Sequence, residues 1–408
     1  MKMGKAAGED QISADIVRAA AGAVWNSKLH ENNPTVDAMT LLFNYIYDKE
    51  VWPTRWSQGV IIPLHKHDSM TDPSNYRPIT LLSIIQKLFG YIINQRLMTW
   101  TENHNTISES QGGFRWQRST IDQVLLKLEI LKMRKAQNLE TYVSFIDVRK
   151  AYDTVWREAN FVRIHDMGIN GKIWRQLQKM YQALNCKVRL PIGETEWVKF
   201  HLGTAQGAVE SPWLFNCFIN GLAEELDKYG FGVLTLDTRI ALLMYADDIA
   251  LFANSISELQ QMHAIVSAYA QRFRFQFNGA KSGVMGFNLK SSSKVKLSKQ
   301  SWFLFGERVN ICSEYDYLGV TITNKSVNKW DKHFKKMLVK ASKVSRQILH
   351  LCKYDQGLPP RPTCILWKAK VRPILEYASE IWYGDIPNEL IRQAEKIQTD
   401  FARGTLGV

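Results

Sequence analysis

Two adjacent aspartates between two short apolar segments are the feature that most constrains this chain. Residues 240–244 and 249–253 are apolar, and Tyr245-Ala246-Asp247-Asp248 lies between them. This pattern predicts a β-hairpin with two carboxylates at its tip. Because Asp is also common in solvated turns, the pair alone does not indicate a functional site.

A third aspartate ends another apolar segment. Residues 142–146 (YVSFI) predict a buried strand that ends at Asp147. Converging carboxylates are the ligands that Mg²⁺ or Mn²⁺ requires, and a bound cation offsets their mutual repulsion. Two such ions about 3.5–4 Å apart can activate a hydroxyl and stabilise the leaving oxygen in phosphoryl transfer. The spacing alone does not establish that the strands meet.

The charge balance favours a polyanionic partner. The 408 residues include 52 Lys and Arg against 39 Asp and Glu, a net charge of +13, and 45% of them are hydrophobic. We therefore expect a folded protein of two or three subdomains that binds nucleic acid rather than a membrane. Five scattered cysteines disfavour a zinc site and a disulfide framework, and they favour a reducing, intracellular compartment. No apolar segment approaches the length of a membrane span.

Local patterns predict an α+β fold in which helices cover a sheet. We expect the first fifty residues to be largely helical, residues 60–64 to form a strand and residues 84–97 to form a buried helix. The Ser- and Lys-rich residues 290–299 predict a solvated loop.

Two further helices are predicted by their apolar faces. Ser255 and Glu258 have the spacing of a capping box ahead of one of them. Residues 329–353 predict an amphipathic helix with a strongly basic face, although solvation alone could explain its charge. Its apolar positions are Phe334, Leu338, Ala341, Ile348 and Leu351.

Three blocks resemble the motifs of reverse transcriptases and occur in that family's order. Residues 143–155 (VSFIDVRKAYDTV) resemble the first catalytic motif. Residues 205–216 (AQGAVESPWLFN) resemble the Gln-Gly substrate motif, and YADD at 245–248 resembles the metal-binding motif.

Four more blocks are similar to non-LTR (LINE-type) retrotransposon enzymes in particular. They are NYRPI at 75–79, QGGFR at 111–115, YLGV at 317–320 and PILEY at 373–377. The resemblance covers nearly the whole chain. A group II intron maturase is a weaker match, because the QGGFR block is LINE-like and a maturase-type C-terminal region is missing.

The resemblance implies a right-hand polymerase fold with fingers, palm and thumb. Residues 1–54 would be an N-terminal extension, residues 55–325 the fingers and palm, and residues 326–408 the thumb with a truncated C-terminal region. The implied reaction adds deoxynucleotides from deoxynucleoside triphosphates to a DNA primer 3′-hydroxyl on an RNA template and releases pyrophosphate. We expect a fragment of a longer element protein, without a separate endonuclease domain, that acts in the nucleus or else in the cytoplasm.

The resemblance also assigns roles to single residues. Asp147 and Asp247 would be the principal ligands of two Mg²⁺ ions (or Mn²⁺), with Asp248 adjacent, and Lys281 would protonate the pyrophosphate. The residues that match nucleotide-binding positions are Lys66, Arg77, Tyr152, Gln206 and Gly207. Four of them have a simpler interpretation: a surface cation for Lys66 or Arg77, a packed core aromatic for Tyr152, and an ordinary turn for Gly207.

The basic helix occupies the position of the family's thumb, which grips the template–primer duplex. Contacts to phosphates suit an enzyme that must copy any sequence. The candidate nucleic-acid-binding residues are Lys332, Lys335, Lys336, Lys340, Lys343 and Arg346.

One residue departs from the family pattern. Glu210 stands where an apolar residue is usual, just before Ser211 and Pro212. It could face the nucleotide and disturb binding, point to solvent, or mark a decayed copy. An inactive or domesticated nucleic-acid-binding relic is therefore the alternative to an active polymerase.

Overall fold

The computed structural model describes residues 4–22, 33–66, 68–325, 329–353 and 357–407. The helices are α1 (Ala14–Ala20), α2 (Pro34–Lys49), α3 (Ile84–Asn103), α4 (Thr120–Ala136), α5 (Arg157–Asp166), α6 (Gly171–Gln182), α7 (Ser211–Asp227), α8 (Ile256–Phe273), α9 (Ser291–Ser298), α10 (Asp331–Lys353), α11 (Pro360–Leu366), α12 (Arg372–Glu376), α13 (Ser379–Trp382) and α14 (Asn388–Leu406). Short 3₁₀ turns lie at Thr54–Ser57, Pro73–Asn75, Ala151–Asp153 and Tyr383–Asp385, and a π-helical segment lies at Trp367–Val371.

The strands form two larger sheets and two small hairpins. They are β1 (Gln58–His65), β2 (Tyr76–Leu81), β3 (Thr141–Asp147), β4 (Asn185–Leu190), β5 (Gly193–Glu194), β6 (Val198–Lys199), β7 (Val233–Thr235), β8 (Thr238–Ile240), β9 (Leu242–Tyr245), β10 (Asp248–Ala253), β11 (Gly283–Phe287), β12 (Trp302–Leu304), β13 (Glu307–Ile311), β14 (Glu314–Tyr317) and β15 (Val320–Thr323).

The larger sheet has six strands in the order β12-β13-β11-β3-β10-β9. Its central strand β3 is buried from Thr141 to Ile146, and only Asp147 at its end is half-buried. Tyr142 and Ile146 pack into the apolar cluster that contains residues of α7 and α8, whereas Val143 and Phe145 pack into the cluster that contains residues of α4 and α10. Burial on both faces explains why the strand is continuously apolar, although it pairs with antiparallel neighbours.

A second sheet has the order β2-β1-β4-β5, with β6 also paired to β4. Strands β1 and β2 form an antiparallel hairpin in which Leu64 lies opposite Arg77. Lys66 follows β1, and its backbone N–H donates to the Asn75 carbonyl at 2.9 Å. The hairpin therefore places Lys66 and Arg77 at the same end of the sheet.

Most of the expected elements are present. The predicted strand at 60–64 lies within β1, the helix at 84–97 within α3 and the strand at 142–146 within β3. The predicted hairpin is formed by β9 and β10, although Ile240 belongs to β8. Helices α1 and α2 account for much of the described part of the first fifty residues, while residues 1–3 and 23–32 lie outside the described ranges.

Two local predictions were wrong. Residues 290–299 are not a loop, because Ser291–Ser298 forms α9, whose Leu297 is buried against the larger sheet. Ser255 does cap α8, but the Glu258 carboxylate accepts from the backbone N–H groups of Gly232 and Asn254, so it does not complete a capping box.

Helix α10 is amphipathic, as predicted. Phe334, Leu338, Ala341 and Ile348 are buried, whereas Leu351 is 58% exposed and was wrongly placed on the apolar face. The helix packs against α12 and α14. No helix in the described ranges is both long and apolar enough to cross a membrane.

Candidate active site

The strand register brings the three aspartates to one end of the larger sheet. In the pairing of β3 with β10, Asp147 lies directly opposite Asp248. Asp247 precedes Asp248 in the turn of the β9–β10 hairpin. The structure therefore brings to one end of the sheet the three aspartates that sequence spacing alone could not show to meet.

A buried glutamine from the QGGFR block fixes that turn. Ala246 has φ +56°, in the left-handed region that non-glycine residues seldom adopt. Gln111 is fully buried, and its Oε1 accepts from the backbone N–H groups of Ala246 and Gly113, both at 2.8 Å. The resemblance of the QGGFR block includes Gln111, but the sequence alone did not predict this contact with Ala246.

Residues that follow α8 hold the other side of the site. Ser282 Oγ accepts from the Asp147 backbone N–H at 3.1 Å, and the Asn278 backbone N–H donates to the Asp147 carbonyl at 2.8 Å. The segment between Asn278 and Ser282 carries Lys281, and the Tyr315 hydroxyl donates to the Lys281 carbonyl at 2.9 Å. Lys281 is thus tied to the end of β3.

Burial and mutual repulsion disfavour the charged forms of these aspartates. Burial raises the pKa of Asp147 and of Asp247. Burial, with repulsion from Asp247 and Asp147, raises the pKa of Asp248 to about 7. Opposing effects come from Lys281 and Lys66 on Asp147 and from Arg77 and Lys66 on Asp247. The predicted cations are therefore close enough for their charge to act on the aspartates.

The aspartates alone do not form a complete metal site. Among the described residues, no three His, Cys, Asp or Glu side chains converge as a full ligand set. Mg²⁺ in phosphoryl-transfer sites is commonly held by one or two carboxylates together with substrate phosphates and water. The three hard oxygen donors at one sheet end therefore fit a site that substrate completes.

Among the positions predicted to contact the nucleotide, Tyr152 lies near Asp247, and Gln206 is bonded to the segment that carries Tyr152. Tyr152 is half-buried with its ring stacked on Phe215 at 5.5 Å, and burial together with the nearby charge of Asp247 raises its pKa. Gln206 Nε2 donates to Asp153 Oδ1 at 2.8 Å, a partner that sequence reasoning missed although Asp153 follows Tyr152 directly.

Gly207 is required by a close backbone approach. Its φ is +139°, and a Cβ there would lie 2.4 Å from the Thr80 carbonyl oxygen of β2. No side chain fits at that distance, so packing alone explains this glycine. Its contact with a nucleotide stays a prediction.

A family model described as Reverse transcriptase (RNA-dependent DNA polymerase) matches residues 64–322. The chain belongs to the reverse transcriptase family. It is 27% identical over 353 residues to a probable RNA-directed DNA polymerase from transposon BS of Drosophila melanogaster. It is 26% identical over 385 residues to the corresponding protein of the Drosophila melanogaster X-element. The predicted resemblance to non-LTR retrotransposon enzymes is confirmed.

These matches cover 84% and 90% of this reverse transcriptase chain, but only 38% and 39% of the two relatives. The chain thus spans about two fifths of the length of these relatives. Telomerase from Candida tropicalis, solved with a fragment of telomeric RNA, matches 92% of this chain and 59% of its own, with 14% identity and a TM-score of 0.50. This likeness shows the fold, so the predicted α+β right-hand polymerase fold is confirmed. The division at residues 54 and 325 stays a prediction.

Glu210 does not point to solvent, and that interpretation was wrong. The residue is 3% exposed, and the Tyr181 hydroxyl donates to its Oε1 at 3.1 Å. Its Oε2 occupies space beside Gly90 of α3. A Cβ on Gly90 would lie only 3.0 Å from that oxygen, so the absence of a side chain there makes room for it. Burial raises the pKa of Glu210, and the Lys87 amine opposes that rise. These contacts belong to α3 and α6 rather than to the strands that carry the aspartates.

The six basic residues predicted on the reverse transcriptase thumb fall into two groups. Lys332 donates to Glu314, and Lys336 donates to Asp316 at 2.9 Å, so both are paired with acids of β14. The side chains of all six are exposed, but among the described residues no ion pair is seen for Lys335, Lys340, Lys343 or Arg346. Contact with nucleic acid stays a prediction, and the pairing of Lys332 and Lys336 favours a structural role for those two.

Proposed function

We propose that this chain is the polymerase region of a non-LTR retrotransposon protein and copies RNA into DNA. It adds deoxynucleotides from their triphosphates to a primer 3′-hydroxyl by two-metal-ion nucleotidyl transfer and releases pyrophosphate. The observation that carries the proposal is the register of Asp147 against Asp248, with Asp247 in the adjoining turn. Three acids placed beside Lys66, Arg77 and Lys281 suit a substrate that is a nucleoside triphosphate.

Asp147 and Asp247, with Asp248 beside them, would hold the divalent cations on which reverse transcriptases generally depend. Mg²⁺ or Mn²⁺ held by these aspartates would supply activation of the primer hydroxyl and charge stabilisation at the leaving pyrophosphate. The aspartates suit this role because their charges repel one another and burial raises their pKa values, so a cation is favoured between them.

The chain's own side chains would position the nucleotide. Lys66 and Arg77 offset the charge of the triphosphate, and Lys281 donates a proton to the pyrophosphate as it leaves. The Tyr152 ring excludes a 2′-hydroxyl, while the backbone at Gly207 lies against the base or sugar. The exposed cations of α10 contact template–primer phosphates without reading sequence.

Partners and location follow from the same proposal. An RNA template suits the chain because the curated relatives are named RNA-directed DNA polymerases and the telomerase neighbour was solved with RNA. The primer would be DNA, in this family commonly a nicked chromosome, so we place the protein inside the cell, in the nucleus or else in the cytoplasm. The alternative of an inactive relic was suggested by Glu210. That support is weakened, because Tyr181 donates a hydrogen bond to Glu210 and Gly90 leaves room for it.

Primer extension tests the proposal. The purified chain should extend a DNA primer on a homopolymer RNA template with deoxynucleotides and Mg²⁺ or Mn²⁺, and EDTA should stop the reaction. Filter binding of the same template–primer would show whether the protein is competent to bind. Binding without extension under both metals would support the relic and overturn the polymerase.

A further inference from the structure

We propose that Asp153 is a positioning residue that orients the Gln206 side chain for the incoming nucleotide. The inference rests on the proposed polymerase function and deepens it, because it names a residue that acts through another. The observation is the hydrogen bond from Gln206 Nε2 to Asp153 Oδ1 at 2.8 Å, between two half-buried side chains.

The position of Asp153 is fixed by a short turn that starts from β3. Ala151–Asp153 forms a 3₁₀ turn, preceded by Lys150 with φ +47°. The Asp153 backbone N–H donates to the Lys150 carbonyl at 2.8 Å. The Asp153 carboxylate is therefore held on the same segment that carries Asp147 and Tyr152.

The backbone that carries Gln206 is held by other bonds. Thr204 N–H donates to the Tyr152 carbonyl at 2.7 Å, and Gly203 N–H donates to the Val155 carbonyl at 2.9 Å. On the opposite side, Thr80 N–H of β2 donates to the Gln206 carbonyl at 2.7 Å. Removing the Asp153 carboxylate should therefore leave this loop in place and release only the Gln206 amide.

The chemistry of the pair allows the Gln206 amide only one of its two flip orientations. An ionised carboxylate only accepts hydrogen bonds, so the Gln206 amide must present its NH₂ group to Asp153 and keep its oxygen on the other side. Lys150 and Lys66, together with the bond from Gln206, favour the ionised form of Asp153 against the effect of burial, which raises its pKa. An amide with one enforced orientation offers a nucleotide one arrangement of donor and acceptor.

Asp153→Asn tests this directly because it keeps the size but replaces the carboxylate with an amide that can donate or accept. Gln206 then has no enforced orientation. We expect KM for deoxynucleotides to rise about tenfold, as for a lost hydrogen bond to a charged group, with kcat within about threefold. Melting temperature and template–primer affinity should stay at the wild-type values. Asp166→Asn, an exposed aspartate at the end of α5, is the matched control.

A double-mutant cycle separates positioning from a general structural role. In the Gln206→Ala background, Asp153→Asn should have no further effect on KM, because its partner is gone. An equal rise in KM in both backgrounds would overturn the inference. Gln206→Met leaves Asp153 intact, so a wild-type KM in that variant would overturn it even if Asp153→Asn folds poorly. A wild-type protein that extends no primer would instead reject the proposed function.

Discussion

The three half-buried aspartates of the candidate site and the buried Glu210 have different surroundings. Asp147, Asp247 and Asp248 lie at strand ends, repel one another and have cations nearby whose side chains are exposed. Glu210 lies between α3 and α6, accepts a hydrogen bond from Tyr181 and occupies space left by Gly90. The negative charges of the three aspartates are left for a bound ligand to offset, whereas the carboxyl group of Glu210 is satisfied by partners within the protein.

The comparison shows how an unexpected charge inside a family motif can be accommodated by the protein itself. Burying a carboxylate is costly unless hydrogen bonds or opposite charges offset it. At Glu210 the structure supplies a hydroxyl donor and a nearby amine, so the residue is explained without a role in catalysis or a loss of activity. At the three aspartates the partners must come from outside the chain.

The largest effect is expected from removing one of the three aspartates of the candidate site. Asp147→Ala or Asp247→Ala should lower primer extension by at least about a thousandfold, because metal ligation serves the chemical step. Template–primer affinity, measured by filter binding, should change little, since we propose that the exposed cations of α10 carry it. Asp237→Asn, an exposed aspartate in the β7–β8 turn, provides the control. Polymerisation near the wild-type rate in either alanine variant would remove the catalytic assignment.

A smaller effect is expected at Tyr152, whose ring lies near Asp247. Tyr152→Val should raise incorporation of ribonucleotides relative to deoxynucleotides by about tenfold to a hundredfold, because a smaller side chain leaves room for the 2′-hydroxyl. Tyr152→Phe keeps the ring and should keep the selectivity. Competition assays with paired nucleotides measure the ratio, and an unchanged ratio in an active Tyr152→Val protein would mean that the ring only packs on Phe215.

Glu210 should affect stability rather than activity. Its pKa is raised in the folded state, so its contribution to stability is fully present below its ordinary pKa of 4.5 and is lost as pH rises through the folded value. Glu210→Gln removes this dependence while keeping an acceptor for Tyr181. We expect the stability of the variant to rise relative to wild type as pH increases above 4.5, because the wild-type carboxyl then loses the advantage of its protonated form.

Urea unfolding at several pH values would measure that gain. Lys87 and Tyr181 are the other titratable groups that face Glu210, so Lys87→Met in the same background tests whether the amine accounts for part of the dependence. Primer extension by Glu210→Gln should stay within about twofold of wild type. A several-fold increase in rate would show instead that Glu210 opposes the nucleotide.

The sequence predicted the three aspartates of the candidate site because their signal is local. One apolar segment that ends in Asp147, and two apolar segments around Asp247 and Asp248, specify strands and a turn. The support for that turn was not predictable in this way, since Gln111 contacts Ala246 across 135 residues of sequence. Such pairing depends on how separate elements pack.

The surroundings of Glu210 and the helix at 291–298 were missed for the same reason. The residues next to Glu210 in sequence do not predict its contacts with Tyr181 and Gly90, which lie in other helices. The Ser- and Lys-rich composition of α9 is that of a loop, but Leu297 is buried against the larger sheet and the Lys290 backbone N–H donates to Glu140 at 2.8 Å. Tertiary contacts outweighed local propensity there.

The smallest effect is expected on the salt dependence of template–primer binding, where cations of α10 that are paired with acids should differ from those that are not. Lys332 is paired with Glu314, so Lys332→Gln should leave the salt dependence of template–primer binding unchanged. Exposed Lys343 is expected to contact a phosphate, so Lys343→Gln should weaken binding to all sequences and reduce the slope of log affinity against log salt by about 1. Filter binding between low and moderate salt measures both slopes on one template–primer.

Because an exposed ion pair contributes only about 0–1 kcal/mol, neither change should unfold the helix. Equal losses of slope in the two variants would mean that Lys332 leaves Glu314 to bind phosphate, and the distinction between the two groups of cations would then fail.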